Sequence, residues 1–491
     1  MELKIRILNW VAGIPSAMLN QKTAKRLGIQ TKDRISIKTF GKKTKEISTT
    51  LDTIKGIIRE NELGVSSELK KRLNLKKGQK VDVNFATPSK SLNFIKEKLN
   101  GKRLSKKKIN SIIEDIVNNS LSESEIALFI AGVFKEGMTT SETINLTKAI
   151  YNSGNHLNLK SKNIAEKHSI GGVPGNRTTP IVISICATTG LIIPKTSSKA
   201  ITSPAGTADT IATVARVEFS VEEVRKILKK TNACMVWGGS LGILPADSKI
   251  IKVEKILKID PKSQLIASIM SKKLSMGTNY ILIDIPYGRG SKFNKKDALS
   301  LKKDFEYFGK YFHKKLKCIL TDGSQPIGCG IGPGPEMEDI IRILDPEKRG
   351  PRDLEEKSLF LSGELLELTG KAKKNQGRIM AEKILYSGKA FEKFKDIIKA
   401  QEGDLGKLKP AKFKKNILSK RSRRIKSIEN KKISSLARIT GCPLDKSSGL
   451  YLHVRRGDKV KKGQKLITIY ANSKNRLNEA VKFFKDEKPI R

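Results

Sequence analysis

The sequence predicts a multidomain α/β protein, with a small β-rich module first, then a helical domain, an α/β domain with a mixed or parallel sheet, and a C-terminal α+β domain. Three successive patterns along the 491 residues predict this class. Apolar and polar residues first alternate in short runs, helical periodicity follows, and apolar strands then alternate with helices. A chain of this length is expected to form about three domains. The divisions indicated are 1–85, 88–158, 159–400 and 420–491.

The first module is predicted to be β-rich because its apolar residues recur at every second position. Leu3–Ile7 and Val81–Asn84 alternate in this way. No catalytic constellation occurs in this module, so we assign it to assembly. The helical domain follows, with an apolar face running from Ile109 to Val117. Thr139, three residues before Glu142, predicts a capping box at the start of a further helix.

The third region alternates strands with helices, and each strand is followed by a turn of small or polar residues. The candidate strands are Leu191–Ile193, Ala233–Trp237, Tyr280–Ile285 and Lys317–Leu320. In a mostly parallel sheet these turns meet at the carboxyl edge, where ligands bind. Farther along, the strand-like Leu450–Val454 and the turn Lys461–Gln464 predict the C-terminal α+β domain.

Two turns rich in glycine and hydroxyl groups carry the strongest functional signal. Ser169–Asn176 offers small residues and backbone amides without a carboxylate, and Thr196–Thr207 adds hydroxyls and a cation before a helix-like segment. Both compositions suit a phosphate group. Clusters of Gly, Ser, Thr and Pro are also what ordinary loops contain, so neither turn alone decides the matter. Together they suggest one phosphorylated substrate or two separate phosphates.

The formal charge of +48 raises the alternative of an RNA-binding protein. The basic residues, however, are spread along almost the whole chain, and even the dense patch 401–440 contains 13 basic and three acidic side chains. Only 5% of the residues are aromatic, and no aromatic pattern for stacking bases occurs. We therefore expect a solvated basic surface that steers anionic substrates, without a specific nucleic-acid partner.

Other classes of protein are excluded by composition. No apolar run approaches a membrane span and the N-terminus lacks a signal-peptide pattern, so we expect a cytoplasmic protein without a membrane partner. The five cysteines are scattered through mostly apolar segments. That distribution indicates core residues rather than a disulfide framework or a metal site.

The two turns also carry a family resemblance. KHSIGGVPGN and KTSSKAITSPAGTADT resemble the signature of the group that contains thymidine phosphorylase and anthranilate phosphoribosyltransferase. The segments Pro174–Asn176, Ser203–Thr207, Val236–Gly239 and Asp284–Pro286 resemble the archaeal-type AMP phosphorylases more closely. The resemblance runs from about residue 88 to the end. In addition, 64–78 is similar to the double-psi barrel-like modules found at the N-terminus of that subgroup.

The resemblance implies a reaction. It is the phosphorolysis of AMP, or of another nucleoside 5′-monophosphate, by inorganic phosphate to a free base and ribose 1,5-bisphosphate. No cofactor or metal is implied, and the partners are the nucleotide and phosphate within a homodimer or larger homo-oligomer. The runner-up is a thymidine or pyrimidine nucleoside phosphorylase of the same fold.

The resemblance also implies which residues bind substrate. SIMSKK matches the substrate-binding helix of the phosphorylases, where Ser268 and Lys272 lie four positions apart and share a face. His168 is a secondary candidate, for catalysis or for orienting the substrate. The residues implied to bind substrate or phosphate are Gly172, Ser198, Lys199, Ala200, Ile201, Thr202, Ser203, Thr207, Ser268, Lys272 and Lys292.

Asp260 has two readings. Asp followed by Pro261 is the pattern of a helix N-cap and its first residue. In the AMP phosphorylase subgroup the aspartate of this IDP segment is the proton donor to the leaving base. A cap favours the charged carboxylate and an acid needs a raised pKa, so one carboxyl does not easily serve both. We predict the general acid, with the cap as its rival.

Several positions depart from the family pattern. Lys252–Glu254 lacks the arginine that pyrimidine phosphorylases carry before the SIMSKK serine, which argues against thymidine as substrate. Lys199 stands where the AMP subgroup has arginine, and lysine cannot reproduce bidentate phosphate contacts. Gly242 and Ser248 replace an expected asparagine and aspartate, which leaves the preference among bases open.

Overall fold

The computed structural model describes residues 1–12, 15–41, 44–86, 89–200 and 203–491. Two compact units make up the chain. The first contains Met1–Ser153 and Pro245–Ala267, and the second contains Gly154–Leu244 and Ser268–Arg491. Barrel, helices and sheets together form the multidomain α/β class that the sequence predicts. The finer division into four domains stays a prediction.

The secondary structure follows in chain order. The strands are β1 (Glu2–Ile7), β2 (Ser16–Asn20), β3 (Arg34–Thr39), β4 (Glu46–Ile54), β5 (Glu62–Val65), β6 (Lys80–Phe85), β7 (Ala165–Ser169), β8 (Ile193–Ser197), β9 (Ala233–Trp237), β10 (Tyr280–Tyr287), β11 (Lys315–Asp322), β12 (Gly330–Ile331), β13 (Phe413–Leu418), β14 (Arg423–Arg424), β15 (Gly449–Leu452), β16 (Lys459–Val460) and β17 (Lys465–Ala471). The helices are α1 (Gln21–Arg26), α2 (Ser67–Leu73), α3 (Lys90–Leu99), α4 (Lys106–Asn118), α5 (Glu123–Glu136), α6 (Thr140–Asn152), α7 (Thr178–Ala187), α8 (Thr207–Ile211), α9 (Val221–Thr231), α10 (Pro245–Leu257), α11 (Lys262–Ser275), α12 (Lys295–Tyr311), α13 (Pro333–Leu344), α14 (Arg352–Leu368), α15 (Gly377–Tyr386), α16 (Lys389–Ala400), α17 (Asn430–Ile439) and α18 (Lys474–Glu487). None of the described helices is long and apolar enough to cross a membrane.

The first unit begins with a closed barrel, in which the strands follow the order β1, β5, β2, β4, β3 and β6. Alternate residues such as Leu3 and Ile5 point into its core, as the period of two predicts. The helices α3 to α6 follow, and α10 packs on α4 and α5. The predicted capping box is present, because the Glu142 amide donates to Thr139 Oγ1 at 3.2 Å and the Thr139 amide donates to Glu142 Oε2 at 2.8 Å.

The second unit is built on parallel strands. The order β11, β10, β7 forms one sheet, β8 pairs with β9, and a bridge between Ile164 and Ile192 joins the two groups. Helix α7 is buried throughout its length in this unit, which fits its predominantly apolar sequence. It begins at Thr178, so Pro180 lies in the first helical turn, where proline is tolerated.

Strand β7 was not predicted. Ser169, which the sequence analysis assigned to a turn, is its last residue. Two fully buried charged side chains, Glu166 and Lys167, and the half-buried His168 conceal the apolar pattern of a central strand. Strand β8 begins at Ile193, where the prediction ended, whereas β9 has the predicted bounds.

The C-terminal part forms an antiparallel sheet in the order β12, β15, β17, β13, with α17 and α18 packed on it. Its core contains Ile433, Leu450, Ile467 and Ile469, all fully buried. The predicted strand Leu450–Val454 corresponds to β15. Strand β13 lies in the basic stretch between the predicted domains and pairs with β17.

Candidate active site

The turns at the carboxyl ends of β7, β10 and β11 pack against one another in the second unit. A Cβ placed on Gly172 would lie 3.1 Å from the backbone nitrogen of Lys292. A Cβ on Gly323 would lie 3.0 Å from Val173 Cγ2 and 3.1 Å from Ser291 Cβ. Parallel strands therefore bring Gly172 and Lys292, 120 positions apart in the sequence, to the same edge.

Arg177 ties the first turn to the second. Its Nη2 donates to the Ala205 carbonyl at 2.7 Å, and its Nη1 donates to Thr207 Oγ1 at 3.4 Å. Its Nε donates to Glu336 Oε2 at 2.6 Å, and the Glu336 side chain is fully buried. The sequence analysis missed Arg177 as a site residue, although it directly follows the first turn.

Asp209 closes the second turn on itself. Its Oδ2 accepts the backbone amides of Ala200 at 2.6 Å and Gly206 at 2.8 Å. Gly206 also packs against Ser198, whose carbonyl oxygen would lie 2.4 Å from an added Cβ. Ser203 Oγ donates to the Ala205 carbonyl at 2.7 Å. The Ala200 amide therefore binds a carboxylate here, which competes with its predicted use in binding an anion.

Lys199 contacts two other side chains of the same chain. Its ammonium donates to Glu218 Oε1 at 2.8 Å and lies 4.0 Å from the centroid of the Trp237 ring. Both charged side chains are exposed, so solvent weakens the ion pair. Two further predicted residues, Ile201 and Thr202, lie outside the described residues.

Two polar side chains, Ser268 and Lys272, lie on the face of helix α11 that is predicted to bind substrate. Lys272 Nζ donates to Ser268 Oγ at 2.8 Å, as expected for positions four apart on a helix. Ser268 is buried at 7% exposure. The pair thus presents one hydroxyl and one ammonium from a single face.

His168 is flanked by cations. Burial comes first in holding its pKa well below 6.5, and the positive charges of Lys273, Lys195, Lys272 and Lys167 act in the same direction. The imidazole is consequently neutral at physiological pH. It can orient a substrate by hydrogen bonding, but it cannot act as a cationic acid.

Lys167 lies on the opposite face of β7. Its Nζ donates to Thr178 Oγ1 at 2.5 Å and to Thr179 Oγ1 at 3.3 Å. Burial lowers the pKa of this lysine to about 7. Lys357, Lys195 and Arg177 lower it further, while Asp284 opposes them. A substantial fraction of its charge is therefore lost near neutral pH.

Asp284 provides the buried negative charge on this face. It accepts Ser169 Oγ at 2.6 Å and Thr321 Oγ1 at 2.6 Å, and it pairs with Lys357 Nζ at 3.1 Å. Burial works to raise the pKa of this carboxyl, but Lys357, Lys167 and the two hydroxyl donors hold it below its usual value. Asp284 is thus ionised and joins the ends of β7, β10 and β11.

Buried cations outnumber buried carboxylates beneath this edge of the sheet. We call Lys167, Lys195, Lys273 and Lys357 the buried lysine cluster; each of these side chains is less than 10% exposed. Glu166 pairs with Lys195 and Lys273, and Asp284 pairs with Lys357, whereas Lys167 donates to threonine hydroxyls. Uncompensated buried charge is costly, so this surplus favours an anion at the adjacent edge.

Asp260 belongs to the first unit. It is exposed and precedes helix α11, which begins at Lys262. The Leu265 amide donates to the Pro261 carbonyl at 2.9 Å. Asp260 therefore lies two residues before the first helical residue.

Gly175 allows a sharp test of how the first turn packs. Its φ is +71°, and a Cβ would lie 2.1 Å from the Ile327 carbonyl oxygen. We expect Gly175→Ala to lower the free energy of unfolding by about 1–3 kcal/mol or more. Gly171→Ala is the matched control, because that Cβ would meet nothing within 4 Å. Urea unfolding of both variants measures the difference, and equal stabilities would contradict this packing.

Comparison with known proteins identifies the family. Models of a glycosyl transferase family match residues 92–154 (the helical bundle domain) and 161–391 (the a/b domain), and the pyrimidine nucleoside phosphorylase C-terminal domain matches 424–491. The AMP phosphorylase of Thermococcus kodakarensis is 40% identical over 497 residues, which cover 100% of this chain and 98% of that protein. The chain belongs to the AMP phosphorylase family.

Two other proteins are similar to this chain in sequence or in fold. A Legionella pneumophila protein, named only provisionally as a thymidine phosphorylase, is 39% identical over 94% of this chain and 89% of its own length. The anthranilate phosphoribosyltransferase of Thermus thermophilus superposes with a TM-score of 0.53 at 14% identity, over 63% of this chain and 99% of that chain. The second likeness concerns the fold alone. Membership in the AMP phosphorylase family confirms the predicted resemblance and makes the chain a pentosyltransferase.

Proposed function

We propose that the chain catalyses the phosphorolysis of AMP, and of further nucleoside 5′-monophosphates, to a free base and ribose 1,5-bisphosphate. The observation that carries the proposal is the link through Arg177, which joins two turns suited to phosphate into one rim. Relatives named AMP phosphorylase over the full chain length support the same reaction.

The chemistry requires two anions to approach each other. An oxygen of inorganic phosphate forms a bond to the anomeric carbon of the ribose while the bond from that carbon to the base nitrogen breaks. Phosphate is a competent nucleophile, so the protein has to position and neutralise rather than activate it. Positioning of this kind lowers a barrier by up to about 7–11 kcal/mol. The buried lysine cluster is suited to neutralising the second anion.

We assign the individual residues by this requirement. Gly172, Ser198, Ser203, Thr207 and Lys292 would contact phosphate groups. In the same proposal, Ser268 and Lys272 would contact the nucleotide from helix α11. Lys199 would have to leave Glu218 before reaching a phosphate, which costs little for an exposed ion pair.

The leaving base needs a proton, and we assign that step to Asp260. Its carboxyl would protonate the base as the glycosidic bond breaks and would finish as a carboxylate. The neutral state of His168 supports this choice, because an imidazole without its second proton is a poor acid. His168 would instead orient the substrate.

The test is release of free base from a panel of substrates. Purified protein is incubated with AMP, CMP, UMP, adenosine or thymidine, each with and without phosphate. We expect AMP to be cleaved much faster than either nucleoside, and only when phosphate is present. Faster cleavage of thymidine would favour the pyrimidine nucleoside phosphorylase instead.

Affinity for a divalent anion is expected to fall as pH rises. Lys167 and Lys273 have pKa values lowered to about 7 by burial, so each loses its charge above that pH. Sulfate stays dianionic from pH 6 to 9, and calorimetry should find weaker binding at pH 9. Similar affinities for sulfate at pH 6 and pH 9 would argue against a role for these charges in binding the anion.

The same two lysines change stability in the opposite direction. In the unfolded chain they stay protonated up to about 10.5, so between about 7 and 10.5 the unfolded state binds more protons than the folded state. Their contribution therefore makes the ligand-free protein more stable as pH rises through this window. Urea unfolding without sulfate measures the free energy of unfolding at pH 7 and at pH 9.

The remaining sequence predictions become part of the proposal. We propose that the enzyme works in the cytoplasm as a homodimer or larger homo-oligomer, without a cofactor. The RNA-binding alternative predicts tight RNA affinity at physiological salt. A steep loss of affinity with added salt would indicate counterion release alone.

A further inference from the structure

We propose that Glu166 is a positioning residue of this site, whose carboxylate holds helix α11 against the end of strand β8. The inference rests on the proposed function, because the groups it would position are those assigned there to the nucleotide and phosphate. Glu166 itself contacts none of the reacting atoms in this scheme.

The geometry joins three elements through one carboxylate oxygen. Glu166 on β7 is fully buried, and its Oε1 accepts Lys195 Nζ from β8 at 2.9 Å and Lys273 Nζ from α11 at 2.5 Å. Lys195 also donates to the Lys167 carbonyl at 3.2 Å. One negative charge therefore binds two buried ammonium groups from separate elements.

Both lysines lie close in sequence to groups assigned to substrate. Lys273 directly follows Lys272, and Ser268 lies one helical turn before that residue on α11. Lys195 lies three residues before Ser198 in the second turn. A shift of either lysine would therefore move a group that faces the substrate.

Loss of the carboxylate would leave two ammonium groups repelling each other in a buried space. Breaking a buried pair in this way is strongly unfavourable, and the simplest relief is to lose a proton or move the elements apart. Moving apart displaces α11 relative to β8, and losing a proton removes a positive charge beside the site. Misplacement by about 1 Å can cost about 10²-fold in rate.

The first unit offers a matched ion pair. Glu142 and Lys98 are each 3% exposed and 3.1 Å apart, and Glu142 also accepts the Leu104 amide. This pair has no proposed role in the site. Glu142→Gln thus reports what loss of a buried carboxylate does to the fold alone.

The experiment compares Glu166→Gln with Glu142→Gln in the full chain. We expect Glu166→Gln to lower kcat/KM for AMP by about 10²-fold, with Glu142→Gln within about twofold of the original after correction for the folded fraction. Equal losses in the two variants, or an unchanged kcat/KM in Glu166→Gln, would overturn the proposal.

The pH profile provides a readout that a purely structural role would not move. Lys273 lies near Glu166 and His168 on β7, Lys195 on β8 and Lys272 on its own helix, and of these only Glu166 raises its pKa. In Glu166→Gln the loss of activity at alkaline pH should therefore begin at lower pH. An unmoved profile would count against the proposal.

Glu166→Asp and the affinity for AMP provide two further tests. If Glu166→Gln does not fold, Glu166→Asp decides, because it keeps the charge but is too short to reach both lysines. We then expect a kcat/KM lowered by about tenfold or more, because a smaller displacement than in Glu166→Gln still misplaces the substrate-binding groups, and an unchanged value would overturn the proposal. If the unaltered protein releases no adenine, the proposed function fails, and calorimetric AMP affinity of the same variants tests the positioning role by itself.

Discussion

Asp260→Asn is expected to lower kcat for AMP phosphorolysis by about 10²- to 10⁴-fold, the usual contribution of a positioned general acid. Asparagine caps a helix about as well as aspartate, so this change removes the proton without removing a cap. Affinity for AMP and the free energy of unfolding should therefore stay nearly the same. Steady-state kinetics and AMP binding by calorimetry measure the two effects separately.

A control substrate isolates the proton transfer. A ribose 5-phosphate bearing a p-nitrophenyl leaving group needs no proton to depart, so both proteins should cleave it at similar rates. Equal kcat values for AMP would restrict Asp260 to capping. A parallel loss with both substrates would mean that the substitution disturbs binding or folding.

Arg177→Met is expected to have the second largest effect. It removes the donor from the buried Glu336 and breaks the link to Ala205 and Thr207. Leaving one partner of a buried pair uncompensated costs about 3–5 kcal/mol of stability. We also expect a higher KM for phosphate, because the two turns are no longer joined. Urea unfolding and phosphate-dependent kinetics provide these values.

A double variant separates stability from function. Arg177→Met with Glu336→Leu removes both charges, and replacing a whole buried pair by apolar residues is often neutral. The double variant should therefore regain stability while its KM for phosphate stays high. Recovery of both would show that Arg177 contributes to folding but not to the site.

Short-range signals account for what the sequence predicted well. The bounds of β9, the Thr139 capping box and the alternation of the first barrel strand each depend on neighbouring residues or a simple period. Strand β7 escaped prediction because Glu166 and Lys167 are charged yet fully buried, and His168 is half-buried. Lys195, Lys273 and a hydroxyl group from other elements compensate Glu166 and Lys167, and no local pattern reveals these partners.

The candidate site divides in the same way. Motif position was enough to select Gly172 and Lys292, which the fold brings together, and the helical spacing of Ser268 and Lys272 is present. The partners that organise these groups were not predictable. Arg177 donates a hydrogen bond to the second turn, and Asp209 accepts one from that turn. Both roles depend on three-dimensional packing. The pairing of Lys199 with Glu218 is a contact of the same kind.

The central claim is that inorganic phosphate becomes bonded to the ribose of AMP. Incubation with AMP and radiolabelled inorganic phosphate, followed by separation of the sugar phosphates, tests it directly. We predict one labelled phosphate on the anomeric carbon of ribose 1,5-bisphosphate for each adenine released. Adenine released together with unlabelled ribose 5-phosphate would mean that water attacks instead, and would contradict the claim.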